Sequence, residues 1–73
     1  MVQVIDVEPL GQGWAVRQDG AANPQVFRSG ARADDAAQRL GARLAKAGCA
    51  TEVRIFLRDG VLAGRFAWPA AAP

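Results

Sequence analysis

Thr51-Glu52-Val53-Arg54-Ile55-Phe56-Leu57-Arg58, then Asp59-Gly60, then Val61-Leu62-Ala63-Gly64-Arg65-Phe66-Ala67-Trp68, is the stretch on which the fold turns. Successive side chains of a strand point to opposite faces, so the alternation of Val53, Ile55 and Leu57 with Glu52, Arg54, Phe56 and Arg58 marks a half-buried strand. Asp-Gly between two such runs is a strong hairpin signal, and a two-residue type I′ turn is expected there. That turn sets Leu57 opposite Leu62, Ile55 opposite Gly64, Val53 opposite Phe66 and Arg54 opposite Arg65. Pro69 ends the second strand, and residues 69–73 are expected to be a disordered Ala/Pro tail.

Upstream of the hairpin the period changes. From Ala31 to Ala47 the chain has no proline and no β-branched residue, and it is rich in helix formers. Ala33, Ala36, Ala37, Leu40, Leu44 and Ala47 fall on one stripe of a 3.6-residue wheel. Ser29 suits an N-cap, Asp34 and Asp35 the helix start, Lys46 the last turn and Gly48 the C′ position. Gly41 interrupts the helix at a cost of up to about 1 kcal/mol, which a tight helix–sheet contact would explain. Further back lie three short strands: Val2–Val7, Trp14–Gln18 and Gln25–Arg28. The first is apolar on both faces, as in a central strand, and Asp6 then needs an open position. Glu8-Pro9-Leu10-Gly11-Gln12-Gly13 and Asp19-Gly20 to Asn23-Pro24 read as turns. The expected fold is α+β, in the order β-β-β-α-β-β. It is an antiparallel sheet with one helix packed on one face, where Val53, Ile55, Leu57, Leu62 and Phe66 are expected against Leu40 and Leu44, and it forms a single small domain over residues 1–68.

Composition narrows the function classes. The chain has 73 residues, 51% hydrophobic and 22% charged, with a formal charge of +2. This suits one small core and is far from the charge density that identifies a nucleic-acid binder alone. There is no His and no Tyr, and Ser29, Thr51, Asn23 and Cys49 are single examples of their kinds. Catalytic constellations are built largely from these residue types, so no catalytic residue, metal site or cofactor is expected and no small-molecule substrate is evident. The start lacks the pattern of a signal peptide, and no apolar run approaches a membrane span. With a lone thiol, this leads to the expectation of a cytoplasmic protein without membrane association.

Several segments together carry a resemblance. Gly11-Gln12-Gly13-Trp14-Ala15-Val16, a helix with Arg32-Ala33-Asp34, Leu44-Ala45-Lys46-Ala47-Gly48 followed by Glu52-Val53, and Arg58-Asp59-Gly60 occur in that order. They resemble a family of small bacterial and phage-borne proteins known only as a domain of unknown function. The likeness runs from about Val4 to about Arg65 and departs at Gly30-Ala31, where the family has a threonine cap. It implies a fold and no activity. A looser, fold-level similarity links the chain to the arm domains of phage integrases, which read DNA with a sheet face.

Two binding surfaces are legible. Arg54, Phe56 and Arg58 share one strand face, and Arg65 joins them across the hairpin. Like charges facing each other across a ladder suggest an external anion, and an aromatic among arginines suits a nucleic acid. The plainer alternative is a solvated face with arginine stems over Phe56. Arg32, Arg39, Arg43 and Lys46 form a second basic stripe, beside the helix's apolar face. Two functional readings follow for a non-enzymatic binding module. One is association with DNA or RNA through Arg54, Phe56, Arg58 and Arg65. The other is protein interaction or self-assembly as a homodimer, with no nucleic-acid role, because so small a core is often completed by a partner.

Overall fold

The computed structural model describes residues 2–71. Five strands and one helix follow in the order β1 (Gln3–Leu10), β2 (Gly13–Gln18), β3 (Gln25–Phe27), α1 (Gly30–Lys46), β4 (Thr51–Phe56) and β5 (Leu62–Trp68). The spatial order of the sheet is β3-β2-β1-β4-β5. It is mixed rather than wholly antiparallel, because β1 and β4 run parallel, with Ile5 beside Val53 and Val7 beside Ile55. The reason is topological. Two hairpins return β3 to the direction of β1, and a helical crossover then delivers β4 in that same direction. β4 docks on the free side of β1, which covers both edges of that apolar strand.

This arrangement makes β1 the central strand. Ile5 and Val7 are fully buried, with Val16, Val53, Ala33 and Ala37 completing the core and Trp14, Phe27, Leu40, Leu44, Ile55 and Trp68 packed around it. The helix is fixed at both ends. Ser29 is extended and its hydroxyl accepts from the Arg32 N–H. At the other end Gly48 takes a φ of +96°, its N–H donates to Ala45 O, and the Cys49 N–H donates to Leu44 O at 2.8 Å. That pair of bonds is a Schellman motif, which glycine favours at the left-handed position. Asp34 and Asp35 lie in the second turn, the first carrying no acid. The buried stripe is Ala33, Ala37, Gly41 and Ala45, shifted from the expected one toward β5. Trp68 causes the shift by lying on Gly41, where an added Cβ would meet its Cδ1 at 2.8 Å.

The first turn is shorter than the expected Glu8–Gly13 stretch, because β1 runs on through Pro9 to Leu10, and the second is not of the expected type. Leu10 pairs with Gly13, so the two-residue loop is Gly11-Gln12, with positive φ at Gly11 alone, the pattern of a type II′ turn. In the second hairpin Gly60 has positive φ and Asp59 does not, which excludes type I′. Gly60 N–H donates to Leu57 O and Leu57 N–H to Val61 O, giving a three-residue loop with a glycine bulge. Asp59 Oδ1 accepts from the Val61 N–H at 3.0 Å and supports the tight turn. Leu57 therefore faces Val61, and Phe56, not Leu57, pairs with Leu62. An irregularity between Ile55 and Phe56 then leaves Ala63 unpaired and restores the expected register, with Ile55 opposite Gly64, Arg54 opposite Arg65 and Val53 opposite Phe66.

The expectation that Leu57, Leu62 and Phe66 pack beneath the helix is corrected by their exposure, which is 40–46%. The bulge turns Leu62 to the opposite face, and the helix sits over β1, β2 and β4 rather than over the hairpin tip. Of the expected tail, Ala71 donates its N–H to Ala45 O at 2.8 Å, and residues 72–73 lie outside the described residues.

Candidate binding face

The sheet surface away from the helix carries Arg54 and Arg65, two of the cations singled out in the sequence. Register alone builds the row: Arg17 faces Asp6, Asp6 faces Arg54, and Arg54 faces Arg65. Because β1 lies beside β4, the outward carboxylates of β1 fall among these arginines. Arg54 is held by Asp6 through two bonds, Nε to Oδ1 at 2.7 Å and Nη2 to Oδ2 at 3.0 Å. The paired fork is the strong geometry for arginine and carboxylate. It holds the Arg54 guanidinium above its ordinary pKa, chiefly through the Asp6 hydrogen bond, with burial opposing. The guanidinium carbon also lies 5.7 Å from the centre of the Phe56 ring.

The neighbouring arginines are matched in the same way. Arg17 Nε donates to Glu8 Oε1 at 2.7 Å, and Arg65 Nε stands 3.0 Å from Glu52 Oε1. The last contact is a charge pair and not an aligned hydrogen bond, since that carboxylate oxygen is enclosed and accepts none. The Arg54–Arg65 opposition thus has an internal answer, one carboxylate for each guanidinium.

Arg58 turns its guanidinium away from Arg54 and Arg65. It belongs to the three-residue loop, and its guanidinium crosses to the β1–β2 turn. There it donates to Gly11 O at 2.9 Å, Gln12 O at 3.0 Å and Gly13 O at 3.3 Å, and it lies 5.1 Å from the centre of the Trp14 ring. Three carbonyls and an aromatic face occupy it as a clamp between the hairpins. Of the four residues read from the sequence, the structure brings Arg54, Phe56 and Arg65 together; Arg58 borders a hollow with Phe56, but its guanidinium is held at the β1–β2 turn.

The residues that sequence reading missed are Asp6, Glu8 and Glu52. Asp6 and Glu8 alternate with Ile5 and Val7, which places them on one outer face, but only the parallel β1–β4 pairing sets Asp6 beside Arg54. An open hollow of about 380 Å³ lies next to them, lined by Asp6, Glu8, Pro9, Phe56, Leu57, Arg58 and Gly60. Among the described residues no group of three His, Cys, Asp or Glu is placed to hold a metal ion, and no helix is long and apolar enough to cross a membrane. Cys49 is free and exposed. Comparison with protein-family models, curated proteins and solved structures finds no match to this chain.

Proposed function

We propose that the chain is a non-enzymatic protein-interaction module that self-associates by pairing β5 with β5 of a second copy. One observation carries this reading. β5 is a seven-residue edge strand whose Leu62 and Phe66 are 40% and 46% exposed, with Leu57 and Val61 exposed beside them. Edges are usually blunted by lysine, proline, bulges or shortness. β5 has one bulge near its start, one charge at Arg65, and no lysine or proline from Leu62 to Trp68.

Symmetry restricts the register of such a pair. Opposed residues of antiparallel strands lie on the same face, so the two-fold axis passes midway between the two copies of one β5 residue. An axis at Arg65 opposes two like charges. An axis at Phe66 sets the two Phe66 rings together, Arg65 opposite Ala67, and Gly64 opposite Trp68. The second is the favoured register. It yields one ten-stranded sheet with both helices on the same side.

The reading through DNA or RNA has less support. On the outer face Arg17, Arg54 and Arg65 are matched by Glu8, Asp6 and Glu52, and affinity for a phosphate backbone comes from cations free to displace counterions. We infer a cytosolic location from the single free thiol. Sedimentation across micromolar to millimolar concentration tests the proposal. The mass should rise toward the dimer for the wild type and stay monomeric for Phe66→Lys. A constant monomer mass for the wild type, with saturable binding to single- or double-stranded oligonucleotides that Arg65→Ala weakens, would replace it with the nucleic-acid reading.

A further inference from the structure

We propose that the trough between α1 and β3 docks an extended acidic peptide, its backbone laid along the edge of β3 and its carboxylates meeting Arg32, Arg39 and Arg43. The trough is built from three adjoining open hollows. The first, of about 390 Å³, is lined by Phe27, Ala31, Arg32, Asp35, Ala36 and Arg39. The second, of about 510 Å³, shares Ala36 and Arg39 and adds Gln25, Ala42 and Arg43. The third, of about 230 Å³, shares Gln25 and Arg43 and continues to Leu40 and Asn23. β3 is the second open edge of the sheet, and its Val26 is 63% exposed.

Charge selects the occupant. At about 100° per residue, Arg32, Arg39 and Arg43 fall within roughly 40° of one another on the helix. Among the described residues Arg32 and Arg43 have no ion pair, and Arg39 has one, to Asp35 at 3.0 Å, with 78% of its side chain exposed. The other flank of the helix differs: Gln38 Nε2 donates to Asp34 Oδ1 at 3.0 Å and Gln38 Oε1 accepts from Trp68 Nε1 at 2.8 Å. The helix therefore presents cations to β3 and hydrogen-bonded polar and acidic groups to β5. The sheet face offers no comparable charge, because each of its arginines has a carboxylate.

Length and chemistry favour a peptide over a polynucleotide. Arg32 to Arg43 spans about 16 Å of helix, the length of about five residues of extended chain. Carboxylates at alternate positions of that chain recur about every 7 Å, close to the rise of about 6 Å from Arg39 to Arg43. An open strand edge supplies backbone donors and acceptors that an added peptide strand can use. The floor is alanine, and Phe27 is its one ring, half-buried, so there is no ladder of exposed aromatics on which bases could stack.

Fluorescence anisotropy with a labelled peptide of alternating glutamate and valine tests this. The background is Phe66→Lys, so that self-association through β5 does not enter. The glutamate peptide should bind, and the same peptide with lysine in place of glutamate should not. Arg39→Glu combined with Arg43→Glu should weaken binding at least tenfold, on the order expected for reversed charges at an interface. Arg54→Ala should leave it unchanged. Amide shifts on titration should centre on Gln25–Phe27. Both reversed positions are exposed, and an unaltered thermal melt will show that the variant is folded. No saturable binding, equal affinity for the reversed variant, shifts centred on β5, or tighter binding of oligo(dT) lost with the same variant would each overturn the proposal.

Discussion

Replacing Gly41 by alanine should destabilise the domain, although alanine is the better helix former by about 1 kcal/mol. The reason is contact geometry. A Cβ at Gly41 would stand 2.8 Å from Trp68 Cδ1, 3.1 Å from Nε1 and 3.3 Å from Cγ, against about 3.5–4.0 Å for carbon atoms at rest. The ring is not free to slide, because its Nε1–H donates to Gln38 Oε1 at 2.8 Å. Overpacking of this kind costs about 1–3 kcal/mol. Set against the gain in helix propensity, the net loss should be about 1 kcal/mol, or about 4–8 °C in Tm for a domain of this size. The control removes the ring. In a Trp68→Leu background the clash is gone, and Gly41→Ala should stabilise by about 1 kcal/mol. Urea denaturation followed by far-UV circular dichroism gives all four stabilities, and the coupling between the two sites should be about 2 kcal/mol. If Gly41→Ala stabilises both backgrounds equally, Trp68 is not what requires glycine here.

Other substitutions probe the remaining contacts. A Cβ at Gly13 would meet the backbone oxygen of Phe27 at 2.6 Å; backbone cannot rotate away, so Gly13→Ala should detach β3 from β2 and cost at least about 2 kcal/mol by urea titration. Arg58→Ala removes three donations to carbonyls and the stacking on Trp14; about 1 kcal/mol should be lost at this exposed site, with a change in tryptophan fluorescence that Arg65→Ala does not produce. A double-mutant cycle on Asp6→Ala and Arg54→Ala should give a coupling of about 1 kcal/mol or more, because both bonds of the fork are half-buried. A coupling near zero would mean that Arg54 is available to an outside anion.

Local patterning made most of the elements readable. The alternation of β4, the alanine-rich helix with its Ser29 and Gly48 ends, and the doubly apolar β1 each state their own environment, although β1 runs on through Pro9 to Leu10 and β4 stops at Phe56. Asp6, which needed an open position in a central strand, found Arg54. What failed to show were relations between distant segments. The parallel docking of β4 on β1 arises from the return path of the helix, and no residue type marks it. The type of the second turn was misread because Asp59-Gly60 serves a type I turn with a glycine bulge as well as it serves type I′, and only the backbone distinguishes them. The same loop carries the Arg58 guanidinium to the β1–β2 turn, so the division of the cluster Arg54, Phe56, Arg58 and Arg65 could not be read from the sequence. Phe66 and Leu62 have the spacing of core residues, but the bulge turns Leu62 to the outer face, and a helix of 17 residues centred over β1 leaves Phe66 uncovered.

Concentration-dependent amide hydrogen exchange, read residue by residue, tests the self-association through β5 most directly. Outward amides of an edge strand have no partner in the monomer and gain one in a paired sheet. Between micromolar and millimolar protein, alternate amides from Gly64 to Trp68 should slow in step with the dimer fraction, while those of Gln25–Phe27 keep their rates. Exchange from Gly64 to Trp68 that is independent of concentration, or protection appearing on β3 instead, would contradict it.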